Sequence, residues 1–479
     1  MKPPRLHLEL DGTRRRTLLA VALLALLLFT WGQLIAQVFW PAAFQDGWRR
    51  TGIWVGARLA IEGQGAMLYD AGAFRSASIR LGAVPDIFDP NSPATILLYL
   101  PIAGLDVHTA RTLWICASLA FFILAWALLL RALRLPPLVA LALSAAVPLF
   151  QPWRANIRTG QDYAAALLFI VAGALFSLRA EPPNGDASRS GRGMGSFAAG
   201  CSLGFAILMR QFYGTVHLLP ALVYRQWKSV GAAVGVYGTA VLITLVWFGP
   251  GVWGTSLNLI TTWRERPETA VNAYQSLNNF LTHLFRYHPQ WNPGPILDAP
   301  WLVGPLWWTL AGLLVAVSVY TIWRTRNIGE GSASAQRLLP YALATPLALL
   351  ISPISEDYHH TLAVFPLAVV AGVLVQLWSL ERAEMGEKRP GYGRAVIPWL
   401  VLVLAAVLLG IPWRYYSAGG NLPEAEGWRA FLYYPRFYGN LLLWGLIVML
   451  SNLYHTAPAF SKFTPGVQML DPKSEHLQL

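Results

Sequence analysis

Long apolar runs broken by short polar segments dominate this chain. Thr17–Trp40, Thr109–Leu130, Val230–Phe248, Trp301–Trp323 and Leu362–Leu380 are the longest, and Leu138–Phe150, Tyr163–Leu178, Leu338–Ile351, Val396–Pro412 and Phe437–Leu453 are shorter. A helix needs about 20 apolar residues to cross a bilayer, and it satisfies its own backbone hydrogen bonds there. The pattern therefore predicts an all-α, polytopic integral membrane protein with about 11–13 membrane segments, several of them short.

Basic residues set the expected orientation. Arg14-Arg15-Arg16 precede the first run, and Arg131, Arg134, Arg225, Lys228, Arg324 and Arg326 flank later ones. The positive-inside rule puts these ends in the cytoplasm. Residues 1–16 then form a cytoplasmic N-terminus, 17–454 one transmembrane domain and 455–479 a polar cytoplasmic tail. Two long polar connections, 41–92 and 249–300, fall on the outer side. Within the first, Gly52–Gly65 and Phe74–Leu81 have helical apolar spacing and predict two short amphipathic helices on the membrane surface. Pro93–Leu105 is too short to span and is expected to dip in and return. Ser196–Met209 and Phe212–Tyr224, parted by Arg210-Gln211, read as a shallow hairpin or broken pair. Residues 179–195 read as a flexible charged linker.

Composition sharpens this reading. Charged residues make up 13% of the chain, against about 25% in soluble domains. The 21 Trp and 18 Tyr suit aromatic belts at two interfaces. The net charge of +12 sits largely beside apolar runs, where anionic lipid and topology account for it. No basic motif interleaved with aromatics points to nucleic acid. Cys116 and Cys201 lie inside apolar runs without metal-ligand spacing.

Candidate chemistry concentrates on one side. Asp46, Asp70, Gln161, Gln275, Glu356, Asp357, His359 and His360 all fall at outer connections. The segment Ser352–Thr361 alone holds a proline, two carboxylates and an adjacent His pair. The centres of the long runs are nearly free of ionisable residues, which argues against an ion or proton pathway. No nucleophile elbow, P-loop, HExxH or zinc pattern occurs, so no metal site is assigned. A carboxylate able to take a proton from a hydroxyl fits group transfer to an alcohol. Arg58, Arg154, Arg158 and Arg210 are candidates to hold a phosphate leaving group.

Five stretches carry a resemblance across roughly residues 40–380. They are Gly56-Ala57-Arg58-Leu59-Ala60-Ile61-Glu62-Gly63 with Leu68-Tyr69-Asp70, Asn91-Ser92-Pro93 through Pro101, Gly160-Gln161 opening a helix, Asn272–Leu284, and Ser352-Pro353-Ile354-Ser355 through His359-His360. In this order they resemble family 87 of the GT-C membrane glycosyltransferases, a group that includes polyprenyl-phosphate-mannose-dependent mannosyltransferases. The resemblance implies a GT-C-like fold. It also implies inverting transfer of a hexose, mannose foremost, from a polyprenyl-phosphate donor to a lipid or glycan hydroxyl outside the cytoplasmic membrane. It implies Asp46 as general base with Asp70 in reserve, and Arg58, Gln161, Arg210, Gln275, His359 and His360 as substrate-binding residues. A divalent cation is optional, and the implied partners are the donor, the acceptor and membrane lipids. Three departures stand out: Arg49-Arg50 lie between Asp46 and the Arg58 stretch, Arg210-Gln211 replace a Lys-Pro pair, and Glu356 replaces a tryptophan. A transporter or flippase of a lipid-linked substrate, and a catalytically inactive relative, are the alternatives.

Overall fold

A computed structural model describes residues 12–45, 51–89, 91–180, 189–326, 334–385, 392–412 and 425–456. It is helical throughout, and an isolated bridge between His288 and Asn292 is its β-type pairing among the described residues. Thr13–Gln45, Val107–Leu133, Trp227–Phe248, Pro300–Thr325 and Asp357–Ser379 are each long and apolar enough to cross a membrane. A sixth span is possible if Pro137–Leu149 and Gln151–Thr159, bent by 51°, count as one. Pro148 and Pro152 flank that bend, and each removes a backbone donor and crowds the preceding turn. Other apolar helices, such as Tyr163–Arg179, Gly193–Met209 and Val396–Gly410, are shorter. The chain is thus an all-α, multi-pass membrane protein, and the shorter helices account for the larger segment count expected from the sequence.

Close backbone approach organises the middle of the bundle. Helix Arg189–Met209 packs between Tyr163–Ala180 and Trp227–Phe248. A Cβ on Gly200 would lie 2.1 Å from the Ser229 carbonyl oxygen, and one on Gly204 would lie 2.7 Å from the Val236 side chain. Only glycine permits such contact. Helix Ser334–Ile351 is buried almost end to end, and Val364–Met385 and Pro435–Thr456 pack against it.

Three local expectations need revision. Helix Gly52–Ile61 does not lie on the surface: eight of its ten residues are buried. Arg58 is the one basic residue on an otherwise apolar cylinder, so no polar face exists to meet water. Trp54 Nε1 donates to the Ile102 carbonyl at 3.1 Å and Arg58 Nη1 to that of Ala103 at 3.2 Å, pinning the helix under the next segment. The linker expected over 179–195 is helical at 179–180 and again from Arg189, and the residues between lie outside the described set. The connection 249–300 carries helices Pro250–Thr262 and Leu277–Phe285 rather than plain loop. Pro93–Leu105 forms a 3-10 stretch, Pro93–Leu98, and a single helical turn, Leu100–Ala103, too short to cross.

Candidate active site

The polar connections converge on a cavity of about 310 Å³. Its walls come from the start of helix Gly52–Ile61, the loop 86–91, the turn 160–163, the break 210–213, the segment 260–274 and the stretch 352–359.

Arg210 is the best-anchored charge on this cavity. Helix Arg189–Met209 stops there because the Arg210 backbone is non-helical (φ −141°, ψ 87°), and Gln211–Val216 starts a new direction. Gly214 then lies against the preceding helix so closely that a Cβ would sit 2.4 Å from the Ile207 nitrogen. Arg210 is left at the apex of a tight reversal. Its Nε donates to Asp162 Oδ1 at 2.6 Å, Nη1 to Asn91 Oδ1 at 3.2 Å, and Nη2 to Gln161 Oε1. The guanidinium also lies 4.5 Å from the centre of the Tyr163 ring. Asp162 is fully buried, which pushes its carboxyl above the usual carboxylate range, and the Arg210 charge pulls it partly back. Burial is the largest influence on Arg210 and opposes its charge, but Asp162 together with Tyr163, Tyr358 and Tyr99 outweighs it, and the guanidinium stays protonated.

The turn that presents Gln161 and Asp162 is tied at both ends. Gly160 ends helix Gln151–Thr159 in the left-handed region (φ 70°), a conformation glycine adopts without strain. Trp114 Nε1 donates to its carbonyl at 3.0 Å, and Asn156 Oδ1 accepts from the Tyr163 backbone N–H at 3.2 Å.

His359 faces the same cavity from the 3-10 helix Asp357–Ala363. Glu356 N–H, a fixed donor, points to His359 Nδ1 at 3.2 Å, and the Tyr213 hydroxyl lies 2.7 Å from the same atom. Nδ1 is therefore an acceptor, and the neutral ring carries its proton on Nε2. The imidazole stacks on Tyr163 at 4.6 Å and 28°. Tyr163 thus touches both Arg210 and His359.

The second long connection supplies the other wall. Arg266 lies 3.3 Å from Asp89 and 3.8 Å from Glu268, with its guanidinium 4.0 Å from the Trp263 ring centre. Asp86 accepts from the Gly52 N–H at 2.9 Å and so caps helix Gly52–Ile61 from across the loop. The lining therefore offers Arg210, Arg266 and His359 beside Asp86, Asp89, Glu268 and Glu356. Such a set can hold an anion at one place and the hydroxyls of a sugar at another. Among the described residues no group of three or more His, Cys, Asp or Glu could hold a metal ion.

Of the residues singled out in the sequence, Gln161, Arg210, Glu356 and His359 come together here. Several others have different partners. Arg58 pairs with Glu62 at 2.9 Å, away from the cavity lining. Asp70 caps helix Ala71–Arg80, accepting from Gly72 and Ala73 N–H at 2.9 Å each. Gln275 is buried and bonds backbone: its Nε2 donates to Asn272 and Tyr433 carbonyls, and its Oε1 accepts from Arg436 N–H. His360 turns away from its neighbour, to Asn440 at 3.0 Å and Ser355 at 3.2 Å. Asp46 lies outside the described residues, six positions before Gly52. Sequence reasoning missed Asp162, Asn91 and Tyr213. For Asp162 a signal existed: an acid in a short turn between apolar helices, with a lone arginine at a later helix break to match it.

Compared with models of protein families, residues 90–353, more than half of the chain, match glycosyltransferase family 87. No curated protein and no solved structure matches the chain.

Proposed function

The chain belongs to glycosyltransferase family 87, and from that premise we propose that this membrane transferase moves a hexose, mannose foremost, from a polyprenyl-phosphate donor to a lipid or glycan hydroxyl. The reaction takes place at the outer face of the cytoplasmic membrane. The observation that carries the reading is the meeting of Gln161, Arg210 and His359, drawn from three separate connections, on one cavity. A buried guanidinium and an imidazole N–H are donors suited to a phosphate.

An apolar groove supports a lipid-linked donor. It measures about 880 Å³ and runs between helices Arg189–Met209 and Trp227–Phe248. Leu208 and Leu97 line it. Leu208 lies two residues before Arg210, and Leu97 two after Thr95, whose hydroxyl accepts from cavity-lining Gln211 at 3.0 Å. The isoprenoid chain would lie there with its phosphate beside Arg210. The outer-face reading rests on basic residues: Arg131 and Arg134 lie at the far end of helix Val107–Leu133, whose near end follows the segment that carries cavity-lining Tyr99.

In the reaction the acceptor oxygen attacks the anomeric carbon from the side opposite the phosphate. The new C–O bond forms as the bond from that carbon to the phosphate oxygen breaks, and the leaving electron pair stays on the phosphate. The acceptor proton passes to the Asp46 carboxylate. A phosphate leaving group departs as an anion, so one base suffices and the sugar carbon inverts.

The test is transfer of radiolabelled mannose from polyprenyl-phosphate mannose to endogenous acceptors, in membranes carrying wild type or Asp46→Asn. Transfer by the wild type that vanishes in the variant at equal protein level is the expected result. Transfer that persists in the variant moves the base elsewhere, and wild-type inactivity with every lipid-linked sugar tried would sink the reading. In the same assay His359→Ala is expected to lower turnover by about 100-fold, as for loss of a transition-state donor. His360→Ala removes two buried hydrogen bonds and should instead lower thermal stability, by about 1–3 kcal/mol.

A further inference from the structure

We propose that binding of the donor phosphodiester beside Arg210 is coupled to the uptake of one proton by Asp162. The proposal rests on the reading that a phosphate lies at Arg210, and it specifies how that site accepts a second anion.

The argument begins with the existing pair. Asp162 is 0% exposed and Arg210 13% exposed along its side chain. Both Arg210 contacts to the carboxylate, through Nε and Nη2, fall on Oδ1. Oδ2 is buried and has no hydrogen-bond partner among the described residues. With Gln161 and Asn91 also served, one N–H of Arg210 Nη1 is left for a ligand on the cavity side.

Charge then decides the outcome. Before the donor enters, Arg210 and Asp162 cancel. A phosphodiester adds one negative charge, leaving two anions on one guanidinium in a poorly hydrated site, where an uncompensated charge is costly. Asp86, Asp89, Glu268 and Glu356 face the same cavity against one further cation, Arg266, so the rest of the lining is net negative and adds to the repulsion. Protonating one carboxylate restores a one-to-one pair. Asp162 is best placed to take that proton. It is the most buried of these acids and touches the cation directly, and its second oxygen has no donor to hold a charge. The groups facing it are Arg210 from the helix break, Tyr163 from its own helix and Tyr99 from the 3-10 segment. Both tyrosines are phenols at neutral pH, so neither competes for the proton. Burial already raises the Asp162 carboxyl, which shortens the step to protonation. Asp89 and Glu268, at 17% and 33% exposure, share Arg266 and lie closer to water.

The linkage is reciprocal: if the donor draws a proton onto Asp162, added protons tighten donor binding. One proton per donor means affinity falling by up to about tenfold for each unit rise in pH.

The experiment is calorimetric titration of the full chain in detergent with a short-chain prenyl mannosyl phosphodiester, which has no titration of its own near neutral pH. It is run between about pH 6 and 8 in buffers of different ionisation heats. Wild type is expected to take up close to one proton and to bind more weakly as pH rises. Asp162→Asn should bind with no proton uptake and a flat pH profile, and Asp162→Glu should keep the uptake. An infrared difference spectrum of the wild type should gain a protonated-carboxyl band on binding. If Asp162→Asn fails to fold, zero uptake or no new band in the wild type overturns the proposal. Uptake that persists in Asp162→Asn overturns it too, by assigning the proton to another acid. A wild type that binds no prenyl phosphodiester at any pH fails differently, because it removes the phosphate from Arg210 altogether.

Discussion

Arg210→Ala is expected to abolish sugar transfer and to loosen the fold. Two losses combine. The cavity loses the cation that would stabilise charge developing on the leaving phosphate, a contribution of about 100- to 1000-fold in rate. Asp162, fully buried, loses its counter-charge. Removing one member of a buried pair costs about 3–5 kcal/mol because the other charge is stranded. The two effects separate in a double variant. Arg210→Met with Asp162→Asn leaves no stranded charge, so most of the thermal stability should return while transfer stays absent. Melting in detergent and turnover per folded molecule measure the two quantities. Transfer by Arg210→Ala within a few-fold of wild type would remove Arg210 from the chemistry. An equally unstable double variant would show that the pair acts through packing.

Gly214→Ala is expected to cost nearly as much activity without touching any charge. Its Cβ would lie 2.4 and 2.5 Å from the Ile207 backbone nitrogen and Cα and 2.6 Å from the Ala206 carbonyl carbon. Backbone cannot rotate away as a side-chain tip can, so helix Gln211–Val216 must move off helix Arg189–Met209. Arg210 sits at the apex between them and moves with it. A displacement near 1 Å at a catalytic group can lower rate by about 100-fold, and overpacking costs about 1–3 kcal/mol. Gly238→Ala is the control: a Cβ there meets nothing within 4 Å, and it should change stability by less than about 0.5 kcal/mol. Equal behaviour of the two variants would refute the steric account.

The sequence made the helical, multi-pass character plain because hydrocarbon thickness demands long apolar runs. It was weaker where burial depends on partners. Helix Gly52–Ile61 looked like a surface helix because glycine, alanine and one arginine resemble a weak polar face, yet the structure covers it with the 93–103 segment. Within the site, Arg210 was legible because a charge between two short apolar stretches is costly without a role. Arg58, Asp70 and Gln275 shared family-like motifs, but they hold shape: a salt bridge, a helix cap and a set of backbone carbonyls. A motif marks a residue type at a position, and cannot say whether that residue faces a ligand or the chain itself. The choice between His359 and His360 shows the same limit. Adjacent residues point in different directions, and only the packing of Tyr163 and Tyr213 reveals which one meets the cavity.

The stretch 352–361 also has a backer from much later in the chain. Arg436 pairs with Asp357 and Asn440 bonds His360, both from helix Pro435–Thr456, one helical turn apart on a single face. Arg436 N–H further reaches Gln275, whose own N–H donates to the Ser355 carbonyl at 2.8 Å. Both anchors come later in the chain than every residue that lines the cavity. A nascent chain that has made every lining segment still has an unbraced His359 wall, and the cavity becomes whole only when helix Pro435–Thr456 packs against it. The order of synthesis itself would then keep an unfinished site from acting on a sugar donor.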